Sequence, residues 1–241
     1  MTLGYSGRVI GIEGLDGSGK NTQAIKLYRR LEASNIPVII VSFPNYANES
    51  SVLVRKYLDG QFKNMYHQED NIQYIKQISS FYAVDRVSSF IEQVYSGKSL
   101  IEHLKEGTHV ICDRYTTSNI LHQAGNLTNK NNIEGYIQWI EELEYIDLGL
   151  PHPDAVFYLD VKPEISVSNI MKRYEGKPME DIHENIDHLK DVYGVRDRVI
   201  KYCGWHRIEC TPNGEMLPID TIHETIVDFL RTNFKAFENI A

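Results

Sequence analysis

Residues 14–20, read as Gly-Leu-Asp-Gly-Ser-Gly-Lys, complete the pattern G-x-x-x-x-G-K directly after the apolar run Val9-Ile10-Gly11-Ile12. Glycines at that spacing let consecutive backbone N–H groups turn toward one point, where a polyphosphate sits at the N-terminus of a helix. Lys20 then reaches the transferring phosphate. The nucleotide-phosphate site is accordingly assigned to Gly14, Leu15, Asp16, Gly17, Ser18, Gly19, Lys20, Asn21 and Thr22. Asn21 departs from the pattern, standing where Ser or Thr supplies a magnesium-ligating hydroxyl, and Thr22 comes one residue too late to replace it. The Asn21 amide oxygen can still ligate magnesium or hold a water that does. The bland alternative is a glycine-rich strand–helix turn with an incidental lysine. Its surroundings favour the phosphate site: an apolar strand precedes the loop, and Ala24, Ile25, Leu27, Tyr28 and Leu31 recur at helical spacing.

The elements that must carry this loop follow from the rest of the chain. Strands are expected at Arg8–Glu13, Val38–Phe43, His109–Cys112, Ala155–Asp160 and Arg207–Cys210, each followed by a helical stretch. Short apolar strands alternating with helices belong to an α/β fold, a parallel sheet covered on both faces. Asn45–Gln68 is polar and reads as a mobile or inserted segment leading into a long helix over about Asp70–Val94. A charged loop, Arg173–Glu180, is punctuated by Gly176 and Pro178 and is either solvated surface or a lid over the phosphate site.

Composition bounds the function. The 241 residues suffice for one large domain, with 42% hydrophobic and 24% charged residues, as in ordinary globular proteins. With 25 basic and 33 acidic residues the net charge is −8, which argues against a nucleic-acid partner. Neither a signal peptide nor a membrane-length apolar run is evident. Cys112, Cys203 and Cys210 are too few and odd in number for a disulfide framework and suit a reducing cytoplasm.

Four more stretches lie in order behind the phosphate loop: Phe43-Pro44, Tyr82-Ala83-Val84-Asp85-Arg86, Asp113-Arg114-Tyr115 and Gly149-Leu150-Pro151-His152-Pro153-Asp154. With Glu13–Lys20 they closely resemble the thymidylate kinase family from about residue 8 to about residue 234. The resemblance implies a P-loop NTPase-type three-layer fold: a five-stranded parallel sheet, helices on both faces and a short lid. It implies one domain over residues 1–241, with an acceptor-binding segment at about 45–95 and a lid at about 173–181. The implied reaction moves a phosphoryl group from ATP to dTMP with magnesium, in a cytoplasmic homodimer without membrane or nucleic-acid partners. A nucleoside monophosphate, whose second phosphate pKa is ~6, is already a nucleophile and needs no general base. Catalysis then reduces to aligning two anions and neutralising their charge.

Lys20, Arg114 and the lid residue Lys177 are the catalytic candidates, with Lys172 and Arg173 as neighbouring lid cations. Arg114 ends a strand, its planar fork suits two phosphate oxygens, and by resemblance it holds the acceptor phosphate. Its alternative is an ion pair with Asp113 or a neighbour. A carboxylate at Asp16 would repel the donor; by resemblance it turns to the sugar 3′-hydroxyl, and otherwise it stabilises the local turn. By the same resemblance, Phe43, Tyr82, Arg86, Asn119 and Gln123 read the base. Tyr82 and Arg86 are four residues apart on one helical side, whereas Phe81 lies about 100° away and reads as core. Gln123 reads equally well as a surface partner of Asn119. Asp113 could hold magnesium through water beside Asn21.

Tyr46 occupies a position where family members often carry an acceptor-phosphate arginine, leaving Arg55 or Lys56 as candidate substitutes. Three fragments mislead. His183 and His188 diverge by ~140° on a helix and do not form a zinc pair. Cys203, His206 and Cys210 lack a fourth ligand, and Asn129–Asn132 lacks the carboxylate of a guanine-reading loop. The competing functions are a deoxynucleoside kinase, which needs a base where Asn45 and Tyr46 stand, and a catalytically silent nucleotide-binding protein.

Overall fold

The computed structural model describes residues 4–62, 71–93, 95–174 and 186–240. Among them, β1 (Val9–Gly14), β2 (Val38–Ser42), β3 (His109–Asp113), β4 (Ala155–Asp160) and β5 (His206–Glu209) form one parallel sheet in the order β2-β3-β1-β4-β5. β1, β3 and β4 are buried along their whole length, so their sequences are apolar runs without alternation.

The helices are α1 (Lys20–Ala33), α2 (Val52–Leu58), α3 (Ile72–Ile91), α4 (Leu100–Lys105), α5 (Thr116–Ser118), α6 (Ala124–Asn126), α7 (Ile133–Glu141), α8 (Pro163–Tyr174), α9 (Ile186–Cys203) and α10 (Ile219–Asn233). Alternate residues of β4 divide the core. Ala155, Phe157 and Leu159 join Leu27 and Leu31 of α1 and Ile226 and Leu230 of α10 on one face. Val156 and Tyr158 join Ile137 and Ile140 of α7 and Leu189 and Val192 of α9 on the other. α3 and α4 add Phe90, Leu100 and Leu104 against Val9 and Val110. This is the expected three-layer α/β arrangement.

Sheet order places the site. The chain leaves β1 for β2 past β3, and leaves β3 for β4 past β1, so connections diverge between β1 and β3. A crevice opens there at the carboxyl ends, where ligands bind in such sheets. Strand ends differ from the sequence expectation by one residue: Asp113 extends β3 because its carbonyl accepts from Phe43 N at 3.1 Å. The long helix is Ile72–Ile91 rather than about 70–94. The polar segment after residue 45 contains α2, anchored by buried Val54, Tyr57 and Leu58. A π-turn over Asn119–Gln123 joins α5 to α6, and a second, over Glu142–Asp147, continues α7.

Candidate active site

The phosphate loop spans the gap between β1 and α1. Gly19 caps α1 at φ 93°, a left-handed conformation that a side chain resists, and a Cβ at that point would have open space around it. Gly17 is required for a different reason, since a Cβ there would sit 2.4 Å from the Ser166 carbonyl oxygen of α8. Lys20 lies folded over the loop, its Nζ donating to the Leu15 carbonyl at 2.7 Å and standing 3.6 Å from Asp16 Oδ1. Burial pushes its ammonium down to about 8, with Arg114 adding to the effect and Asp16, Asp113 and Glu13 opposing it. A cavity of about 520 Å³ opens beside the loop, walled by Asn21, Thr22, Asp113, Arg114, Arg173 and the apolar side chains Met216, Leu217 and Ile219. Sequence reading missed this last segment. Gln23 ties it down by donating from Nε2 to the Ile219 carbonyl at 2.9 Å.

Arg114 follows β3 at φ 68°, left-handed backbone that costs a non-glycine residue about 1–3 kcal/mol. The surrounding bonds hold it there. Glu13, buried at the end of β1, accepts from Tyr115 N at 3.0 Å, Thr117 Oγ1 at 2.6 Å and Ser118 Oγ at 2.7 Å. The guanidinium pairs with Asp16 rather than Asp113, and donates to His122 Nε2 at 3.0 Å and Ser118 Oγ at 3.4 Å. Burial disfavours its charge, but Asp16, Glu13 and Asp113 together outweigh burial and keep it protonated. Asn21 Nδ2 donates to Asp113 Oδ2 at 3.0 Å, so the two magnesium candidates are neighbours. It is the Asn21 amide nitrogen that faces the carboxylate, so of the two it is the Asp113 oxygens whose chemistry suits a hard cation as they stand. Among the described residues no cluster of three or more His, Cys, Asp or Glu side chains could hold a metal by itself.

A second cavity, of about 250 Å³, adjoins the first. Asp16, Phe43, Tyr82, Arg86, Arg114, Asn119 and Gln123, all assigned to the acceptor from sequence, line it together. Phe81 lies off its wall, packed on Phe62 with ring centroids 5.6 Å apart. Arg86, 1% exposed, is held by a residue that sequence reading missed. Glu144, in the π-turn after α7 and fully buried, accepts from Arg86 Nε at 2.6 Å and Nη2 at 2.5 Å, from Thr116 Oγ1 at 2.6 Å and from Asn119 Nδ2 at 3.0 Å. Asn119 and Arg86 therefore share one anchor. Gln123 is buried, accepting at Oε1 from Asn126 Nδ2 at 3.2 Å, so it is not the surface partner of Asn119.

Tyr46 lines the acceptor cavity where the arginine was expected. Arg55 reaches back to the Tyr46 carbonyl and to Ser51 Oγ, both at 2.8 Å, and does not line the cavity. Buried Asp85 fixes the same turn by accepting from Asn45 N and Ser50 Oγ, both at 2.8 Å. Arg173, near the end of α8, lines both cavities. Lys177 and most of the lid at about 173–181, like His183, lie outside the described residues.

A sequence model of the thymidylate kinase family matches residues 12–218. The chain is 29% identical to a thymidylate kinase of Plasmodium falciparum over 221 residues, covering 92% of this chain and 88% of the relative. A thymidylate kinase of Schizosaccharomyces pombe is 26% identical, with 95% and 94% covered, and one of Mycobacterium tuberculosis is 27% identical, with 82% and 87% covered.

Proposed function

Since the chain belongs to the thymidylate kinase family, we propose that it transfers the γ-phosphoryl group of ATP to the 5′-phosphate of dTMP, giving dTDP and ADP for nucleotide biosynthesis. An acceptor phosphate oxygen attacks Pγ, and the bond from Pγ to the oxygen bridging the β- and γ-phosphates breaks with its electrons leaving on ADP. The protein aligns these groups and neutralises their charge. The observation that carries this reading is the Lys20–Asp16–Arg114 cluster at the junction of two cavities, one bordered by the phosphate loop and one by Phe43, Tyr82 and Arg86.

In this reading the loop amides and Lys20 take the donor phosphates, while Arg114 takes the acceptor phosphate. Asp16, which lies between Lys20 and Arg114 and pairs with both, turns toward the sugar 3′-hydroxyl. Phe43 and Tyr82 wall the base, and Arg86, Asn119 and Gln123 meet its edge. Arg173, touching both cavities, supplies the positive charge that Tyr46 lacks, and Lys177 adds a lid cation. Asp113 and the Asn21 amide oxygen would hold Mg²⁺, whose charge offsets that of the transferring phosphates.

Residues 1–241 act as one kinase domain in this proposal, paired as a homodimer. Val84 (56% exposed) and Ile91 (63% exposed) on α3, one helical face apart by seven residues, support an interface there. Three unpaired thiols suit a cytoplasmic setting, and no described helix is long and apolar enough to cross a membrane. A deoxynucleoside kinase is not favoured: Glu49, the first acid after Pro44, is exposed and off the cavity wall. ADP release over a panel of monophosphates and nucleosides tests the reading. Turnover is expected with dTMP first and dUMP weakly, whereas equal rates with thymidine would overturn it.

A further inference from the structure

Arg114 is the first member of a chain of hydrogen bonds that the phosphoryl-transfer reading leaves unused. Its Nη1 donates to His122 Nε2 at 3.0 Å; His122 Nδ1 lies 3.4 Å from His188 Nε2; His188 Nδ1 lies 3.0 Å from Asn126 Oδ1; and Asn126 Nδ2 donates to Gln123 Oε1 at 3.2 Å. The two imidazoles are nearly parallel, with an interplanar angle of 20° and centroids 5.7 Å apart.

The polarity of this chain is fixed at one end. A guanidinium has no lone pair and only donates, so His122 Nε2 must be the accepting nitrogen. A neutral His122 then carries its proton on Nδ1 and donates to His188 Nε2. His188 in turn carries its proton on Nδ1 and donates to Asn126. That orients the Asn126 amide, which takes up Gln123 Oε1 and leaves the Gln123 Nε2 hydrogens as the donors available to a ligand. The packing that sets His188 in register is tight. A Cβ on Gly125 would lie 2.8 Å from Val192 Cα, so α6 presses directly on α9, one turn beyond His188.

We propose that His122 and His188 are positioning residues, which hold Arg114 for the acceptor phosphate and Gln123 for the base through one chain of neutral imidazoles. This rests on the thymidylate kinase reading of the cavity. His122 faces Arg114, Asp16 of the phosphate loop, Lys20 of α1 and His188 of α9; His188 also faces Asp16, Arg114 and Lys130. Burial, with Arg114 next, holds His122 well below the ordinary imidazole range. Burial likewise pushes His188 down to about 4, against the pull of Asp16. A proton on either ring would reverse the chain and set a cation beside the phosphate clamp.

Two measurements test this. Proton–nitrogen correlation spectra of the histidine rings in the wild-type protein at pH 7 read the tautomers directly. Both rings are expected neutral with the proton on Nδ1, and an Nε2–H tautomer or an imidazolium at either residue overturns the proposal. The spectra hold whatever the substrate is, so a protein that shows both tautomers but no turnover of dTMP defeats the functional reading alone. In kinetics, His188→Leu leaves His122 without an acceptor. The KM for dTMP should rise about ten-fold, the size expected for one buried donor left unsatisfied. KM for ATP should stay within about two-fold, because Gln123, at the far end of the chain, lines the acceptor cavity and not the donor cavity. His188→Gln, whose amide offers both an acceptor and a donor, should restore KM for dTMP. An unchanged dTMP KM in His188→Leu, a parallel rise in both KM values, or failure of His188→Gln to rescue would each refute the chain. If His188→Leu does not fold, His188→Gln and the spectra decide.

Discussion

Glu144→Gln is the substitution whose consequence the structure specifies most fully. A carboxylate offers about four lone-pair sites. Glu144 uses them all, two at each oxygen: Arg86 Nη2 and Asn119 Nδ2 at Oε1, Arg86 Nε and Thr116 Oγ1 at Oε2. Glutamine keeps the shape but turns one oxygen into an NH2 group, which then faces a guanidinium N–H and a second donor. The Arg86 charge stays buried with no counter-charge in contact. Side chains 2% and 0% exposed have little water to replace it. Removing one partner of such a pair costs about 3–5 kcal/mol. For a chain of this size that is roughly 6–20 °C in melting temperature, at about 2–4 °C per kcal/mol. Calorimetry at pH 7 measures the loss. Because Arg86 and Asn119 are both oriented by Glu144, KM for dTMP should rise together with the loss of stability while KM for ATP does not. A melting temperature within about 2 °C of wild type would refute the claim that Glu144 anchors the base-reading side chains.

Three further outcomes are expected. Arg114→Ala should lower turnover of dTMP by at least ~100-fold in steady-state assays, since it removes a clamp from a desolvated site; wild-type kinetics would place the clamp elsewhere. His223 is fully buried with neither ring nitrogen hydrogen-bonded, and burial pushes it from 6.5 down to about 4. Its unfolded form binds the proton first, so its contribution is fully present above about 6.5 and lost as pH falls through about 4. Urea midpoints measured between pH 7 and 4.5 should fall more gently in His223→Leu than in wild type, and parallel curves would contradict this. If the proposed homodimer pairs through α3, Ile91→Glu should sediment as a monomer while keeping the wild-type circular dichroism spectrum, and an unchanged sedimentation coefficient would contradict that interface.

Local spacing made much of this molecule legible. The phosphate loop, the apolar strands and the strand-end Asp113-Arg114 all declare themselves within a few residues, and sheet topology then has little choice but to bring them to one edge. What stayed hidden depends on contacts between distant segments. Glu144 sits in the run Glu141-Glu142-Leu143-Glu144, indistinguishable by composition from a solvated helix face. A π-turn buries it, and no sequence rule locates that turn. His188 reads as one of several scattered histidines until α9 packs on α6. Gln123 is ambiguous for the same reason: its spacing from Asn119 fits a surface pair, and only the third partner, Asn126, fixes its role. Tyr46 was visible as a departure from the family, but Arg173 emerges as a candidate for its missing charge only from where the end of α8 comes to rest.

The central claim is that the two cavities hold a phosphoryl donor and a phosphorylated acceptor side by side. Transfer of label from γ-labelled ATP tests it most directly, with dTMP, dUMP and thymidine each offered at equal concentration. Label is expected in dTDP with dTMP, weakly in dUDP with dUMP, and in no product with thymidine. Label in dTMP formed from thymidine, or release of labelled inorganic phosphate with no labelled nucleotide product, would contradict the account.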